Sequence, residues 1–314
     1  PFWEIELKTK EATAYHKEDK IFDKKRVDAI LKKTKGKPAV VSKVKETEFQ
    51  QAPPTPFDLT TLQTESYRCF GVSPKDTLSV AQELYTAGFI SYPRTSSQQL
   101  PPSIKYKKIL EMLAKQVEYS SLAHELLKKN PVPNEGKKTD PAHPAIYPTG
   151  EIKELKDKNK KVYDLIVRRI LATFAPPAKR KTITADIDVN EEPFIAKGTI
   201  TIEPGWHVFY NPYTGITEDE IPDLKEKQQL KNPKIDALEK ETQPPRRYTP
   251  ASLIKELENL NLGTKATRAN IIDTLYQRNY ITEKSIEATQ LGVATVDTLK
   301  KYCPEIIEEA LTRH

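Results

Sequence analysis

The first residues of the chain alternate between apolar and charged side chains. Trp3, Ile5 and Leu7 take the odd positions, and charged residues lie between them. Because side chains alternate between the two faces of a strand, this pattern predicts a strand buried on one face. Strand character is also found in three later runs, Ala39 to Phe49, Thr182 to Val189 and Phe194 to Ile202. The last two flank Asn190 to Pro193 and predict a hairpin.

A helical period appears in the middle of the chain. Ser73 can cap a helix whose first residue is Pro74, and apolar residues follow at helical spacing up to Tyr85 before Gly88 ends the segment. Tyr85 lies on this apolar face, so we expect it in the core. Further helices are predicted at Lys105 to Met112, Leu122 to Lys129 and Glu151 to Phe174.

A second helical region follows Pro244 and Pro245. A capped helix is predicted to begin at Thr249-Pro250 and to end before Gly263, and a second helix carries Ile271 to Tyr276. Two helices joined by a short turn that contains glycine are also typical of a helix-turn-helix. A DNA-binding module is therefore one interpretation of this region.

Proline-rich segments divide the chain. Gln51 to Pro56 follows the first β-rich stretch, and Pro244-Pro245 follows the second. Since both stretches flank a helical middle, we predict an α+β multidomain fold. In it, a β-rich domain is interrupted by an inserted helical domain and followed by part of another helical domain. The predicted segments are residues 1–58, 59–177, 178–245 and 246–314.

Glycine is sparse, with 10 in 314 residues, and no two stand closer than Gly198 and Gly205. The dinucleotide fingerprint and the P-loop need closer glycines, so neither nucleotide site is expected. Two cysteines are too few for a disulfide framework or a zinc knuckle and favour a reducing cytoplasm. No apolar run has the length of a membrane span. A formal net charge of +6 is compatible with DNA binding and equally with an ordinary lysine-rich surface.

The segment Gly88 to Ser97 carries the candidate chemistry. Pro93 cannot lie inside a helix and biases Tyr92 toward an extended conformation. In extended chain, residues i and i+2 share a side, so the Tyr92 hydroxyl and the Arg94 guanidinium are expected to project together. A neighbouring cation favours a phenolate nucleophile and stabilises charge on an attacked phosphate. Spacing alone leaves open a packed loop tyrosine beside a solvated arginine.

Gly88 to Ser97, with the preceding Ala81 to Tyr85, resembles the active-site tyrosine segment of type IA DNA topoisomerases. The continuation to Pro102 is most similar to the archaeal topoisomerase I branch, although many relatives carry an acidic residue where Ser96 stands. Other blocks resemble the family in the same order: Phe2 to Glu4, His143 to Thr149, Tyr163 to Ala172 and Tyr248 to Ile281. The chain is thus identified as a member of this family over nearly its whole length.

The resemblance implies the type IA core fold, with a β arch, an inserted helical gate and part of a helical DNA-binding domain. Tyr92 would cleave single-stranded DNA through a 5′-phosphotyrosine, another strand would pass through the break, and resealing would relax negatively supercoiled DNA without ATP. Arg94 would stabilise the phosphate, and His143 would contact phosphate or transfer a proton. Contacts to the DNA backbone are implied for Thr149, Arg168, Thr267 and Arg268.

Type IA enzymes bind Mg²⁺ in a separate acidic domain called Toprim. The only Asp-x-Asp here is Asp186 to Asp188, which we interpret as the solvated side of a strand, so no metal site is expected in this chain. The resemblance therefore implies a fragment without Toprim that binds DNA but does not complete relaxation. We expect a cytoplasmic, nucleoid-associated monomer whose partner is single-stranded or negatively supercoiled DNA, with no nucleotide or membrane partner.

Two alternatives remain at this point. Within the family, the chain would come from a topoisomerase III-like decatenase. Outside it, the helix pair after Thr249 would act as a non-enzymatic helix-turn-helix DNA-binding module.

Overall fold

The computed structural model describes residues 1–220 and 223–312. The chain forms two compact units, each assembled from three stretches of sequence. One consists of Pro1–Gln51, Pro177–Gly205 and Gly215–Pro245, and the other of Ala52–Pro176, Trp206–Thr214 and Arg246–His314. The division into segments 1–58, 59–177, 178–245 and 246–314 stays a prediction.

The first unit is built on an antiparallel sheet. Its strands are β1 (Phe2–Lys8), β2 (Thr13–His16), β3 (Ala39–Gln51), β4 (Ala178–Val189), β5 (Glu192–Glu203), β6 (Gln229–Leu230) and β7 (Lys234–Lys240). They lie in the order β6-β3-β4-β5-β2-β1-β7, so the first strand pairs with the last, from Phe2 opposite Lys240 to Lys8 opposite Lys234. Helix α1 (Lys24–Thr34) packs on this sheet.

The alternation of apolar positions builds the core of this unit. Ile5 and Leu7 of β1 are buried together with Ile187 of β4 and Phe194 of β5. The predicted hairpin between β4 and β5 is confirmed, and its turn residues Asn190 and Glu191 have φ of 53° and 64°. Two consecutive positive φ values are typical of the type I′ turn, whose twist matches that of the strands it joins.

The second unit is mainly helical. Before the carboxyl-terminal region its helices are α2 (Leu59–Phe70), α3 (Pro74–Thr86), α4 (Tyr106–Ala114), α5 (Ser120–Leu127), α6 (Asp157–Phe174) and α7 (Trp206–Tyr210). The predicted cap of α3 is confirmed, because the Ser73 side chain accepts the Asp76 amide and Pro74 is the first residue. Gly88 follows with φ +83°, a conformation that lets the chain turn back after the helix. Helix α6 begins at Asp157, six residues later than the predicted Glu151. Its first buried side chain is Val162, so no buried contact of the helix extends back to residue 151.

The predicted helix pair near the carboxyl end is confirmed as α8 (Pro250–Asn259) and α9 (Arg268–Gln277). Ile254, Ala269 and Ile272 form their small core. A short hairpin follows, which the residue pattern does not predict. The remaining elements are β8 (Ile281–Thr282), β9 (Glu287–Ala288), α10 (Gln290–Tyr302) and α11 (Glu309–Thr312).

Gly292 in α10 lies against the backbone of Tyr280. A Cβ at Gly292 would be 2.2 Å from the Tyr280 carbonyl oxygen. Backbone cannot move aside as a flexible side chain can, so Gly292→Ala is expected to lower the free energy of unfolding by about 1–3 kcal/mol. This loss is expected although alanine favours helices over glycine by about 1 kcal/mol. Urea denaturation measures the change.

Val293→Ala is the matched control, because Val293 is the neighbouring residue and is 48% exposed. Its substitution should change the free energy of unfolding by no more than about 0.5 kcal/mol. Equal stability of the Gly292→Ala and wild-type chains would show that the close approach to Tyr280 is not maintained in solution.

Candidate active site

The structure brings together two loops of the second unit, the Tyr92 loop (residues 88–97) and the His143 loop (residues 139–149). The Ser91 amide donates to the Tyr147 carbonyl at 2.9 Å, and the Tyr147 amide donates to the Ser91 hydroxyl at 3.0 Å. Farther along, the Thr95 hydroxyl donates to the His143 carbonyl at 3.3 Å. Because backbone groups take part in all three bonds, the two loops hold each other in a fixed register.

The Tyr92 ring lies between two other rings. The centroid of the Tyr85 ring is 5.2 Å away in an edge-on arrangement, and that of the His143 ring is 4.6 Å away with a tilt of 46°. In the described ranges, neither the Tyr92 hydroxyl nor the His143 ring nitrogens form a hydrogen bond. The phenol is thus oriented through its ring while its oxygen is left available for chemistry.

The expected core position of Tyr85 is wrong. Tyr85 is 41% exposed and packs edge-on against Tyr92. It lies in the last turn of α3, just before Gly88 with its positive φ, so the loop that follows the helix brings Tyr92 against it. Helical periodicity gives the face of a residue but not what lies beyond the end of the helix.

Arg94 lies at a tight turn. The Thr95 amide donates to the Pro93 carbonyl at 3.0 Å, which closes a three-residue turn centred on Arg94. The i/i+2 argument assumes extended chain at this point, whereas the chain turns at Arg94, and the expectation that the Tyr92 hydroxyl and the Arg94 guanidinium project together stays a prediction. Thr95 after the turn is 1% exposed, and its carbonyl accepts the Leu59 amide at the start of α2.

The Arg94 side chain holds an unsatisfied donor. Its Nε is buried and has no hydrogen-bond partner, and among the described residues it forms no ion pair with a carboxylate. An unpaired buried donor costs about 1–3 kcal/mol, so an anionic oxygen that accepts from Nε would recover that energy. A guanidinium in this state is suited to a phosphate, which accepts two parallel hydrogen bonds.

Asp140 is a residue of this site that the sequence interpretation missed. Its side chain is 1% exposed, and its carboxylate accepts the Ser96 amide and hydroxyl, each at 3.1 Å. The carboxylate also accepts the Ala142 amide at 3.0 Å and the His143 amide at 3.2 Å, and it forms an ion pair with Lys265. The signal that would have found it is Asp140-Pro141 in a loop, because aspartate before proline typically bonds to following amides.

Asp140 stays ionised in these surroundings. Burial acts to raise its pKa, but the hydrogen bonds from Lys265, Ser96 and Ala142 outweigh burial and hold the pKa well below its usual range. The carboxylate therefore carries its charge throughout the neutral pH range.

A cleft of about 880 Å³ opens beside His143 and Asp140. Its lining includes six prolines: Pro101, Pro102, Pro131, Pro133, Pro141 and Pro144. Because proline fixes its own φ, these parts of the lining have restricted backbone freedom. The cleft gives a bound group access to the His143 loop.

Thr149 and Arg168, both predicted to contact DNA, have protein partners. The Thr149 hydroxyl donates to the Gly88 carbonyl at 2.6 Å and so fixes the start of the Tyr92 loop. Arg168 forms an ion pair with Asp164, with Nε 3.1 Å from both carboxylate oxygens. Their contacts with DNA stay predictions.

Thr267 and Arg268 shape the connection between α8 and α9. The Thr267 hydroxyl accepts the Thr264 amide at 2.9 Å. Arg268 is 9% exposed and donates from its guanidinium to the carbonyls of Leu262 and Gly263, at 3.0 and 3.2 Å. Both side chains hold a turn together, and the predicted contacts of both with DNA stay untested.

Within residues 1–220 and 223–312, no group of three His, Cys, Asp or Glu side chains is arranged to hold a metal ion. Asp188 of β4 is exposed and accepts the Glu191 amide at 3.2 Å, whereas Asp186 is partly buried. These residues do not fit a Mg²⁺ site. Of the helices in the described ranges, none combines the length and the apolar character needed to cross a bilayer.

Comparison with known proteins gives a consistent result. A family model described as DNA topoisomerase matches residues 1–314. DNA topoisomerase 1 of Methanothermobacter thermautotrophicus is 47% identical over 100% of this chain and 44% of its own length, and that of Methanocaldococcus jannaschii is 46% identical over 100% and 42%. The mouse DNA topoisomerase 3-alpha is 29% identical over 82% of the chain and 26% of its own length.

The solved structure of full-length topoisomerase I from Thermotoga maritima matches 99% of this chain and 53% of its own, with a TM-score of 0.77 and 27% identity. The likeness confirms the predicted α+β fold class. The chain spans less than half the length of the two archaeal relatives. Since the match runs over the whole chain in sequence and over nearly all of it in structure, the chain belongs to the type IA DNA topoisomerase family, in the branch of the archaeal topoisomerase I proteins.

Proposed function

We propose that this chain carries the DNA-cleaving tyrosine of a type IA topoisomerase. The Tyr92 oxygen attacks a phosphodiester of single-stranded DNA, the bond from phosphorus to the 3′ oxygen breaks, and the 5′ phosphate becomes linked to the tyrosine. The phenolic proton goes to the departing 3′ oxygen. After another strand has passed, the 3′ hydroxyl attacks the phosphotyrosine and restores the original bond. One phosphorus–oxygen bond forms for each that breaks, so relaxation of negative supercoils needs no ATP.

One observation carries this proposal, namely the grouping of Tyr92, Arg94 and His143 on two loops that are hydrogen-bonded to each other. The phenol oxygen has no partner in the described part of the chain, and Arg94 has a buried Nε that lacks an acceptor. A phosphate that accepts from Nε would satisfy this donor while the negative charge develops, which is where electrostatic stabilisation is most effective. His143, whose ring is 4.6 Å from that of Tyr92, would contact the phosphate or move the proton.

The proposed partner is single-stranded or negatively supercoiled DNA, bound by a monomer in the nucleoid. For the complete reaction we propose Mg²⁺ held by a Toprim domain, as the resemblance implies. In this proposal the role of this chain is to hold the strand, supply the nucleophile and neutralise the phosphate.

Cleavage polarity tests the proposal. The test uses a chimera of the Methanothermobacter thermautotrophicus enzyme. Residues 1–314 of this chain replace the segment of that enzyme that they match, and the match covers 100% of this chain. The chimera is incubated with a single-stranded oligonucleotide and denatured. We expect a 3′-end label to stay with the protein and a 5′-end label to be released, because the tyrosine takes the 5′ phosphate. The opposite pattern, or the absence of any adduct, would contradict the proposal.

The helix-turn-helix alternative predicts a different outcome, with noncovalent, sequence-selective binding to a fully paired duplex of the same sequence and no adduct. The structure gives this alternative little support. Arg268, at the start of α9, directs its guanidinium to the carbonyls of Leu262 and Gly263, where it cannot read base edges. The topoisomerase III-like alternative makes the same prediction for cleavage, and the stronger match to the archaeal topoisomerase I proteins counts against it.

A further inference from the structure

Three segments that are distant in sequence meet at the Asp140 carboxylate. It accepts the Ser96 amide of the Tyr92 loop and the His143 amide of its own loop, and its charge is balanced by Lys265 from the α8–α9 connection (residues 260–267). The other bonds between the two loops do not involve this connection. Asp140 thus joins both loops of the active site to the helix pair.

Lys265 is presented by a rigid turn. Before Lys265 in the chain, the carbonyls of Leu262 and Gly263 accept hydrogen bonds from Arg268. The bond from the Thr264 amide to the Thr267 hydroxyl spans Lys265. The Lys265 side chain is 34% exposed, whereas that of Asp140 is 1% exposed. The position of the ammonium group therefore follows the position of the helix pair.

Helices α8 and α9 are coupled to the two loops because the buried Asp140 charge is unfavourable without its counter-ion Lys265. In the described ranges, Lys265 is the ion-pair partner of Asp140. If α8 and α9 move away, the Asp140 carboxylate keeps only its neutral hydrogen-bond donors. The carboxylate then changes position, and its hydrogen bonds to the Ser96 and His143 amides change with it. A displacement of α8 and α9 is therefore felt at both loops.

Two other ion pairs of α8 and α9 involve carboxylates that do not accept the Ser96 or His143 amide. Lys75 of α3 binds Asp273 of α9 at 2.6 Å, and Lys138 binds Glu258 of α8 at 2.9 Å. The Lys75 pair has the same chemistry and fastens the same helices, but Lys75 contacts neither loop through a hydrogen bond in the described part of the chain. It therefore provides a matched control.

We propose that Asp140 and Lys265 are a positioning pair that sets the Tyr92 loop against the His143 loop according to the position of the α8–α9 connection. This role rests on the proposed cleavage by Tyr92. In this role the pair acts on the reaction indirectly, by holding the amides of Ser96 and His143.

Hydrogen exchange of the 314-residue chain, without DNA, tests the structural part. In Lys265→Met, the Ser96 and His143 amides are expected to exchange at least about tenfold faster than in the wild type, since their acceptor is no longer fixed. Lys265→Arg keeps the cation and should restore protection, and Lys75→Met should leave both amides unchanged. Lys265 is partly exposed, so the Met variant is expected to fold.

Adduct formation by the chimera described above tests the functional part. Lys265→Met should lower the rate at saturating single-stranded DNA by about tenfold while the half-saturating DNA concentration changes by less than about twofold, because the interaction acts on the transition state and not on binding. Lys265→Arg should recover most of the rate.

If Lys265→Met showed wild-type amide exchange and a wild-type rate of adduct formation, the proposed positioning role of Asp140 and Lys265 would be wrong. Equal effects of Lys75→Met would also contradict it, because they would indicate that the loss of any ion pair of α8 and α9 destabilises this part of the chain. If the chimera with the unchanged chain formed no adduct at all, the proposed function would fail. The exchange measurements would still decide whether the pair holds the loops.

Discussion

Replacing Tyr92 with phenylalanine is expected to abolish both the covalent DNA adduct and plasmid relaxation in the chimera. The substitution removes only the oxygen that forms the bond to phosphorus, and no other group can take its place at the same position. In the described ranges this hydroxyl has no hydrogen bond, and the ring contacts with Tyr85 and His143 remain possible. Folding and DNA binding should therefore be retained. Denaturing electrophoresis with a 3′-labelled strand measures the adduct, and fluorescence anisotropy measures binding.

Tyr85→Phe is the matched control, since it removes a phenolic hydroxyl from the ring beside Tyr92. It should form adducts at close to the wild-type rate. An adduct that persists in Tyr92→Phe would exclude Tyr92 as the nucleophile. Loss of the adduct in both variants would show that the Tyr85 hydroxyl is also required, so that the effect is not specific to the Tyr92 oxygen.

Replacing Arg94 with alanine is expected to slow cleavage by about 10²–10³-fold, the range observed when a preorganised donor to developing negative charge is removed. The buried Nε without an acceptor indicates that this side chain is in place before the phosphate arrives. Arg94→Lys keeps the charge but loses the planar fork, so its rate should lie between those of wild type and alanine. Single-turnover adduct formation at saturating DNA measures the effect separately from binding.

Arg180→Lys is the control for this experiment. Arg180 on β4 also has a buried Nε without a partner, but it belongs to the other unit of the chain. Its substitution should leave the single-turnover rate unchanged. Rates for Arg94→Ala within about twofold of wild type would mean that the guanidinium does not act on the transition state.

The elements that are predictable from the sequence are those that local chemistry determines. The alternation of apolar and charged residues in β1 predicts the burial of Ile5 and Leu7. The caps at Ser73 and at the start of α8 are predictable because a side chain bonds to an amide three residues later. The start of α6 was not predictable in this way, because no apolar side chain from residue 156 to residue 161 marks which part of that lysine-rich stretch is helical.

The candidate site was predictable only in part, and for a related reason. Tyr92, Arg94 and His143 are identifiable because their segments resemble the motifs of type IA topoisomerases, whereas spacing alone leaves a packed loop tyrosine and a solvated arginine open. Asp140 before Pro141 signals bonds to the amides that follow it, but its ion pair with Lys265 and its bond to the Ser96 amide join residues far apart in the chain and cannot be predicted from local sequence. The exposure of Tyr85 likewise depends on where the following loop returns.

The order of strands in the first unit has a consequence during synthesis on the ribosome. Strand β1 is made first, yet it pairs with β7, with Phe2 opposite Lys240, and its other neighbour β2 pairs with β5. At roughly 5–20 residues per second, β1 waits on the order of ten seconds or more for β7 to emerge. Residues 52–176, by contrast, are one continuous stretch of the second unit and carry the helices α2 to α6. The helices of residues 52–176 are therefore expected to form while β1 has only β2 beside it, so the edge of β1 that later pairs with β7 stays open to chaperones during translation.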